Sequence, residues 1–267
     1  MKKEQKLCKE WFQDLQNVIC KSISDIEKDF GSKAKFKRNK WKRGEFRTIE
    51  GEVIEKAGVA FSNVIGKFPK DFAKQIPGTE NNRNFWSSGI SVVLHPKNPK
   101  VPALHFNTRF ICTQKSWFGG GIDATQSLKD LNQKKYFHNE LKKMCNKHNK
   151  KYYPKYKKWC DEYFYLPHRN EARGIGGIFF DYKMDNWEKD FSFIKDVGLT
   201  FDFLLKEVVK KNMFSKWTAK QKEIQLLKRG RYVEYNLLYD RGTKFGLNSG
   251  GNPEAILMSM PPQAKWK

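Results

Sequence analysis

The fold is decided by one stretch of the chain, Gly89-Ile-Ser-Val-Val-Leu-His-Pro-Lys-Asn-Pro-Lys-Val-Pro-Ala-Leu-His-Phe-Asn-Thr-Arg-Phe-Ile-Cys112. Two strand-like runs in this region, 89–95 and 101–113, are separated only by a short loop that is rich in Pro and Asn. Two such runs with a short connection are typical of an antiparallel hairpin. We therefore expect a pair of neighbouring strands at the centre of the fold.

One face of this predicted hairpin is polar. Because side chains alternate between the two faces of a strand, His105, Asn107 and Arg109 share one face. Ser91 and His95 share a face of the preceding strand for the same reason. Buried without partners, such polar groups would cost roughly 1–3 kcal/mol each. The pattern therefore predicts that a polar, anionic ligand lies against this surface.

The rest of the chain extends the sheet and adds helices. Further strand-like runs lie at 52–61, 175–183, 231–240 and 255–260. Apolar residues at helical spacing occupy 4–30, 69–76, 126–166 with a break near Pro154, 187–212 and 218–228. Because the strands come in groups, the pattern favours a mostly antiparallel sheet covered by helices over a doubly wound parallel fold. With no repeat or low-complexity linker, we expect one α+β domain over 1–267.

Composition limits the classes of partner. The chain has 52 Lys and Arg against 29 Asp and Glu, and its net charge of +23 attracts anions. Nucleic acid is one candidate, but the lysines are spread over nearly the whole chain. No helix-turn-helix, zinc-finger or RNA-binding signature accompanies them. We therefore interpret most of the lysine as solvated surface and expect no nucleic-acid partner.

Cysteine usage and hydropathy predict the compartment. The five cysteines form no CxxC pair and are odd in number, which argues against a disulfide framework and a structural zinc site. Charges interrupt the first thirty residues, so an apolar export segment is lacking. No run approaches the roughly twenty apolar residues of a membrane span. These features predict a cytoplasmic protein without a membrane span.

Two glycine-rich runs are candidates for ligand contact. We interpret Trp117-Phe-Gly-Gly-Gly-Ile-Asp123 as a turn that lets the backbone approach a ligand, with Asp123 emerging from it. On the residues alone, an aspartate that merely closes the turn is an equal alternative. The second run, Gly246-Leu-Asn-Ser-Gly-Gly-Asn252, predicts either a tight turn before the last strand or a binding loop.

The histidines give a metal site little support from spacing. They stand at 95, 105, 138, 148 and 168 and form no HxH or HxxxH pair. A lone histidine in a strand is more often structural than a ligand. His95 and His105 can share a face of the hairpin, however, which keeps a ligand role open for both. His148 lies in a lysine-rich stretch and is expected to be solvated.

Collinear blocks over most of the chain resemble the oxygen-dependent coproporphyrinogen III oxidase family. The resemblance begins in the hairpin and continues through Trp117–Asp123, Tyr156-Lys-Lys-Trp-Cys-Asp-Glu-Tyr-Phe164, the runs 168–181 and 229–242, and Ala255-Ile-Leu-Met-Ser-Met-Pro-Pro262. It implies a large, mostly antiparallel sheet flanked by helices on both faces, in a homodimer. The alternating apolar residues after 231 agree with a dimerisation region at 231–267, which the family also implies.

The resemblance also implies an activity. Two propionates of coproporphyrinogen III would become vinyl groups by oxidative decarboxylation, which gives protoporphyrinogen IX in haem biosynthesis. Dioxygen is the implied oxidant, and no organic cofactor is implied. The sequence agrees, since it has cations for a tetracarboxylate, a polar strand face, and no Rossmann, P-loop or haem-attachment motif. A histidine-based metal-dependent hydrolase and a basic RNA-binding module are the rival interpretations.

Residue roles follow from the same resemblance. His105 is the implied proton donor, and Asp123 is the implied carboxylate that faces the pyrrole nitrogens. The implied substrate-binding residues are Ser91, Asn107, Thr108, Arg109, Gly250, Gly251 and Asn252. A divalent metal, which not all members of the family use, is implied at His95, His105, His138 and His168.

Two loops at which the resemblance implies substrate contact depart from the family pattern. Asn252 stands where the family has an arginine, so a cation that would meet a propionate is missing, and Arg241 or Lys244 is a candidate to replace it. The early glycine-rich loop reads Trp41-Lys-Arg-Gly-Glu-Phe-Arg-Thr-Ile-Glu-Gly51. These departures indicate a divergent branch with its activity retained.

Overall fold

The computed structural model describes residues 2–248 and 251–267. Nine strands are present in these ranges: β1 (Lys37–Trp41), β2 (Gly44–Ile49), β3 (Ile54–Lys67), β4 (Asn84–Pro96), β5 (Ala103–Cys112), β6 (Ser116–Thr125), β7 (Tyr165–Leu166), β8 (Glu171–Ala172) and β9 (Gly176–Lys183). Seven of them form one antiparallel sheet in the order β1-β2-β3-β4-β5-β6-β9, and β7 pairs with β8. The α+β prediction is confirmed.

The described ranges also contain eight helices and a short 3₁₀ turn at Pro167–Arg169. The helices are α1 (Lys3–Asp29), α2 (Lys70–Ala73), α3 (Leu131–His148), α4 (Tyr152–Tyr163), α5 (Trp187–Asn212), α6 (Ala219–Leu238), α7 (Arg241–Asn248) and α8 (Pro253–Leu257). The helical stretch predicted at 126–166, with a break near Pro154, is two helices that are separated at 149–151. Pro154 lies in the first turn of α4, where its missing N–H leaves no helical bond unmade.

The main core lies on one face of the sheet. Alternate residues of β5, such as Leu104 and Phe106, point into it and are almost completely buried. The ring of Phe106 stacks on that of Phe201 in α5, with the centroids 4.8 Å apart. Phe12 and Leu15 of α1 join the same core with no exposed surface. This apolar face leaves the opposite, polar face free to build a site.

The predicted hairpin forms as expected. Val93 lies opposite His105 and Ser91 lies opposite Asn107 where β4 pairs with β5. The polar side chains of both strands consequently share the face opposite the main core, and helices α6 to α8 cover part of it. Met258, just after α8, packs over Gly58 of β3 on this face.

The two predicted strands near the carboxyl end are wrong, because both segments are helical. Residues 231–238 continue α6, in which Tyr232 and Tyr235 are buried at helical spacing, whereas Leu237 is 46% exposed. The alternation of apolar residues in this segment does not match the residues that are buried, because the buried residues follow the helical period. At 253–257 the Asn252 side chain accepts from the Glu254 N–H at 3.0 Å, and this cap begins α8.

The state of the thiols and the hydropathy of the helices bear on the predicted compartment. All five cysteines are free thiols, and four of them are buried. In the ranges that the structure describes, no helix has the length and hydropathy that crossing a membrane requires.

Candidate active site

The polar face of the sheet is the floor of a cavity of about 940 Å³. Sites for small molecules typically have volumes of about 300–1,000 Å³, so this cavity can hold a large organic ligand. Two acidic residues, Asp181 and Asp240, line it among the described residues. The cationic lining residues are Lys42, Arg43, Lys67, Arg109, Arg173 and Arg241. This excess of positive charge favours an anionic ligand.

A buried carboxylate, Asp123, lies between His105 and Arg173, and both of these partners line the cavity. His105 Nδ1 lies 2.5 Å from Asp123 Oδ1, because β5 and β6 place these two residues directly opposite each other. Arg173 donates to the other oxygen, Asp123 Oδ2. Asp123 is 2% exposed. Both carboxylate oxygens therefore have partners, and the orientation of the group is fixed.

Asp123 stays ionised despite this burial. Burial alone would raise the pKa of the carboxyl, but the charge of Arg173 and the hydrogen bond with His105 outweigh it and hold the pKa below its usual value. An ionised Asp123 can only accept, so His105 Nδ1 must carry a proton and donate it. His105 Nε2 is then the ring nitrogen left to exchange a proton with a ligand in the cavity.

The predicted glycine turn at 117–123 is wrong, because this segment is strand β6. Its glycines let side chains of the neighbouring strands meet across it. Arg109 of β5 reaches over Gly119 to Asp181 of β9, with 2.6 Å between the guanidinium nitrogen and the carboxylate oxygen. A Cβ on Gly119 would lie 2.4 Å from that carboxylate. The ion pair therefore requires glycine at this position.

The other predicted residues of the hairpin divide between the two faces. Ser91 and Asn107 line the cavity, and Asn107 Oδ1 lies 3.5 Å from a guanidinium nitrogen of Arg109. Thr108 lines the cavity too, but the alternation along β5 turns its side chain toward the core. Its buried hydroxyl has no hydrogen-bond partner in the described ranges. Only the main chain of Thr108 is placed to meet a ligand.

The carboxyl-terminal loop contributes less polar contact than expected. Gly251 and Asn252 line the cavity, while Gly250 lies outside the described residues. Arg241 lines the cavity with its guanidinium 5.2 Å from the ring centroid of Tyr163. Lys244 instead points its ammonium toward the carbonyl of Leu238, 3.4 Å away. Of the two candidate replacements for the missing cation, the structure brings only Arg241 to the cavity.

Comparison with known proteins identifies the family. A family model described as coproporphyrinogen III oxidase matches residues 7–267. The chain belongs to the coproporphyrinogen III oxidase family. It is 51% identical over 267 residues to the oxygen-dependent coproporphyrinogen-III oxidase of Rickettsia akari (strain Hartford), with 96% of each chain covered. The corresponding proteins of Rickettsia rickettsii (strain Sheila Smith) and Rickettsia bellii (strain OSU 85-389) are 50% and 49% identical, with 96% and 99% of each chain covered.

The four histidines at which the family resemblance implies a metal do not gather in this member. His95 is buried, its Nε2 lies 2.8 Å from the Ser259 carbonyl oxygen, and burial lowers its pKa to about 3. His138 bonds the Ile175 carbonyl through one nitrogen and the Tyr153 hydroxyl through the other.

His168 likewise engages Glu234 with one ring nitrogen and the Tyr239 hydroxyl with the other. Across residues 2–248 and 251–267, no group of three or more His, Cys, Asp or Glu side chains could hold a metal ion. These histidines do not fit a shared metal.

Sequence reasoning missed two residues of this family member's site, Arg173 and Asp181. Asp181 had a usable signal, since it shares a face of β9 with Phe179 by the period of two, and Phe179 also lines the cavity. Arg173 lies outside the regular strand pattern. Its approach to Asp123 depends on how the segment between α4 and β9 folds back.

Proposed function

We propose that the protein catalyses the oxygen-dependent oxidative decarboxylation of coproporphyrinogen III to protoporphyrinogen IX, a step of haem biosynthesis. The observation that carries this proposal is the ionised, buried Asp123 paired with His105 and Arg173, two residues that line a cation-rich cavity. A fixed negative charge in a water-poor site suits a ligand with N–H donors at its centre. Cations around it suit carboxylates at the ligand's periphery.

The porphyrinogen is a tetracarboxylate, and the lining offers separate cations for its propionates. Arg109 keeps donors free beyond its bond with Asp181 and is 31% exposed. Arg241 lines the cavity from α7. Lys42, Arg43 and Lys67 have no hydrogen-bond or ion-pair partner for their side chains in the described part of the chain. These groups bind and orient the substrate.

Two residues, Asp123 and His105, take part in the proton transfers of the reaction. Asp123 accepts hydrogen bonds from the pyrrole N–H groups and favours loss of one proton, which makes the ring electron-rich toward dioxygen. His105 exchanges a proton through Nε2. Each propionate loses carbon dioxide and two hydrogens as it becomes a vinyl group. Dioxygen takes the two electrons and two protons and leaves as hydrogen peroxide, which balances the step.

An assay with coproporphyrinogen III under air and under argon tests the proposal. We expect protoporphyrin, read by fluorescence after oxidation of the product, in the aerobic reaction only. Absence of an oxygen-dependent product overturns the proposal. Metal analysis and the absorbance at 260 nm of the purified protein test the two rivals, because a hydrolase would retain stoichiometric metal and an RNA-binding module would carry nucleic acid.

We also propose how the protein assembles and in which compartment it works. Leu237, Leu238, Leu247 and Trp266 leave more than a third of their surface exposed near the carboxyl end. We infer that a second copy covers this region, 231–267, and that residues 1–267 fold as one domain. The free thiols support a reducing, cytoplasmic environment.

A further inference from the structure

We propose that Arg173 is a positioning residue, which holds the Asp123 carboxylate at the orientation that the substrate requires and acts through Asp123 without binding a propionate itself. The proposal rests on the proposed function, since it takes Asp123 as the group that meets the pyrrole nitrogens.

The segment between α4 and β9 is built to deliver this guanidinium. The Arg173 N–H donates to the Phe164 carbonyl at 2.9 Å, which closes the loop made by β7, the 3₁₀ turn and β8. The guanidinium carbon then lies 4.0 Å from the ring centroid of Phe164. It lies 4.7 Å from the centroid of Tyr232 and 4.8 Å from that of Tyr235, both on α6. Three aromatic rings thus enclose the cation.

This enclosure leaves Asp123 as the charged partner of Arg173. The Arg173 side chain is 1% exposed and its guanidinium is already paired with Asp123, so it suits a propionate less well than a more exposed cation does. Arg109 and Arg241 line the same cavity with more accessible guanidinium groups, which suit direct contact with carboxylates. Arg109 and Arg241 are therefore placed to bind substrate, whereas Arg173 is placed to hold another side chain.

Stability does not explain why this pair is present. Replacing a buried ion pair by apolar side chains of similar volume is often neutral or stabilising, because both charges lose their hydration. Arg173 Nε is also buried and has no hydrogen-bond partner among the described residues. Because apolar side chains could fill the same space, the presence of a buried ion pair beside the cavity is better explained by its effect on Asp123.

The test is a double-mutant cycle on turnover of coproporphyrinogen III with Arg173→Gln, Asp123→Asn and the combination. Displacing a reacting group by about 1 Å can lower the rate roughly 100-fold. We expect Arg173→Gln to lower kcat about 10- to 100-fold with little change in KM. In the Asp123→Asn background it should lower kcat no further, because the group it positions is already disabled. Arg173→Lys should recover part of the turnover.

Arg169→Gln is the matched control. Arg169 comes from the same segment but bonds Glu234 at the surface, outside the cavity, so its loss should leave kcat unchanged. Melting temperatures show which variants fold. If Arg173→Gln does not fold, Arg173→Lys replaces it in the cycle with Asp123→Asn, again with no additional loss expected in the double variant.

Three results would overturn the proposal. Multiplicative losses in the double variant would mean that Arg173 acts independently of Asp123. A raised KM with unchanged kcat would make Arg173 a binding residue. A wild-type rate in Asp123→Asn would remove the group on which Arg173 is said to act. A wild-type protein without oxygen-dependent activity would overturn the proposed function itself, whereas the first two results leave that function intact.

Discussion

At the scale of single residues, the site depends on a carboxylate that keeps its charge although it is almost completely buried. Asp123 achieves this with two partners, His105 and Arg173, one on each oxygen. The same contacts determine which nitrogen of His105 is protonated. Charge state, orientation and proton position therefore follow from one cluster of three side chains.

Asp123→Asn should severely impair turnover, because the amide has no negative charge to offer the pyrrole N–H groups. Preorganised charge of this kind is worth about 3–4 kcal/mol, or roughly 100- to 1,000-fold in kcat. Asp123→Glu keeps the negative charge and should retain a little activity, although its longer side chain moves the charge away from the pyrrole N–H groups. Asp196→Asn is the control, because Asp196 also pairs with a histidine, His148, but outside the cavity. A wild-type rate in Asp123→Asn would reduce Asp123 to a structural residue.

His105→Ala should lower kcat more than it changes KM. A proton-transfer residue acts chiefly in the transition state and contributes about 10²–10⁴-fold. Steady-state kinetics of His105→Ala and of the control variant His148→Ala measure the effect. His148 is a suitable control because it also bonds an aspartate but does not line the cavity. Unchanged turnover in a folded His105→Ala protein would exclude His105 from the mechanism. Recovery of activity with added manganese would indicate a metal role instead.

At the scale of elements, strands supply the floor of the site and hairpins or helices supply its walls. A turn was wrongly predicted where strand β6 lies, because three successive glycines usually indicate a turn. Here they form the part of the sheet over which Arg109 and Asp181 meet. The pairing partners on both sides supply the backbone hydrogen bonds that keep this glycine segment extended.

The hairpin formed by β1 and β2 should contribute to substrate binding through Arg43 at its tip. Arg43 lines the cavity, and its exposed side chain has no partner in the described ranges. An exposed ion pair is worth about 0.2–1 kcal/mol, so Arg43→Ala should raise KM up to about fivefold with kcat unchanged. Arg38→Ala on the same hairpin is the control, since Arg38 bonds Glu45 and does not line the cavity. A fall in kcat with constant KM would contradict this role.

Helix α6 should depend on Glu234 for stability in a pH-dependent way. Glu234 accepts from Arg169, His168 and Trp266, and these bonds lower its pKa from 4.5 to about 2. A lowered pKa stabilises the fold above the unfolded value, and that contribution is lost as the pH falls from about 4.5 toward 2. Glu234→Gln should cost roughly 1.5–3 kcal/mol at pH 7.

Thermal unfolding at pH 7 and at pH 2 to 3 measures this difference, which should shrink in acid. Glu223→Gln is the control on the same helix, because Glu223 also bonds the carboxyl-terminal tail, through Lys265, but both side chains are 53% exposed. Its effect should stay within about 1 kcal/mol. A Glu234→Gln penalty that is equal at both pH values would contradict the assignment.

At the scale of the whole molecule, we expect a homodimer that buries the carboxyl-terminal region. The two segments predicted as strands are helices, and the exposed apolar residues of α6, α7 and the tail support the dimer. Sedimentation or light scattering at micromolar concentration and physiological salt should give twice the chain mass of 31.5 kDa. A monomeric mass would contradict the dimer, and Leu238→Lys should weaken it if the interface is correctly placed.

The sequence by itself determined the central hairpin and its polar face with His105, and it singled out Asp123 beside the glycine run, whereas the roles of these two residues came from the family resemblance. The alternation of a strand is local, so a period of two shows which side chains share a face. Only the tertiary structure decided that Arg173 and Asp181 belong to the site and that the four histidines do not meet. Their contacts join residues 50 or more positions apart, as in Arg173 with Asp123 and Arg109 with Asp181. Strand order and loop closure bring such residues together, and no local periodicity encodes either.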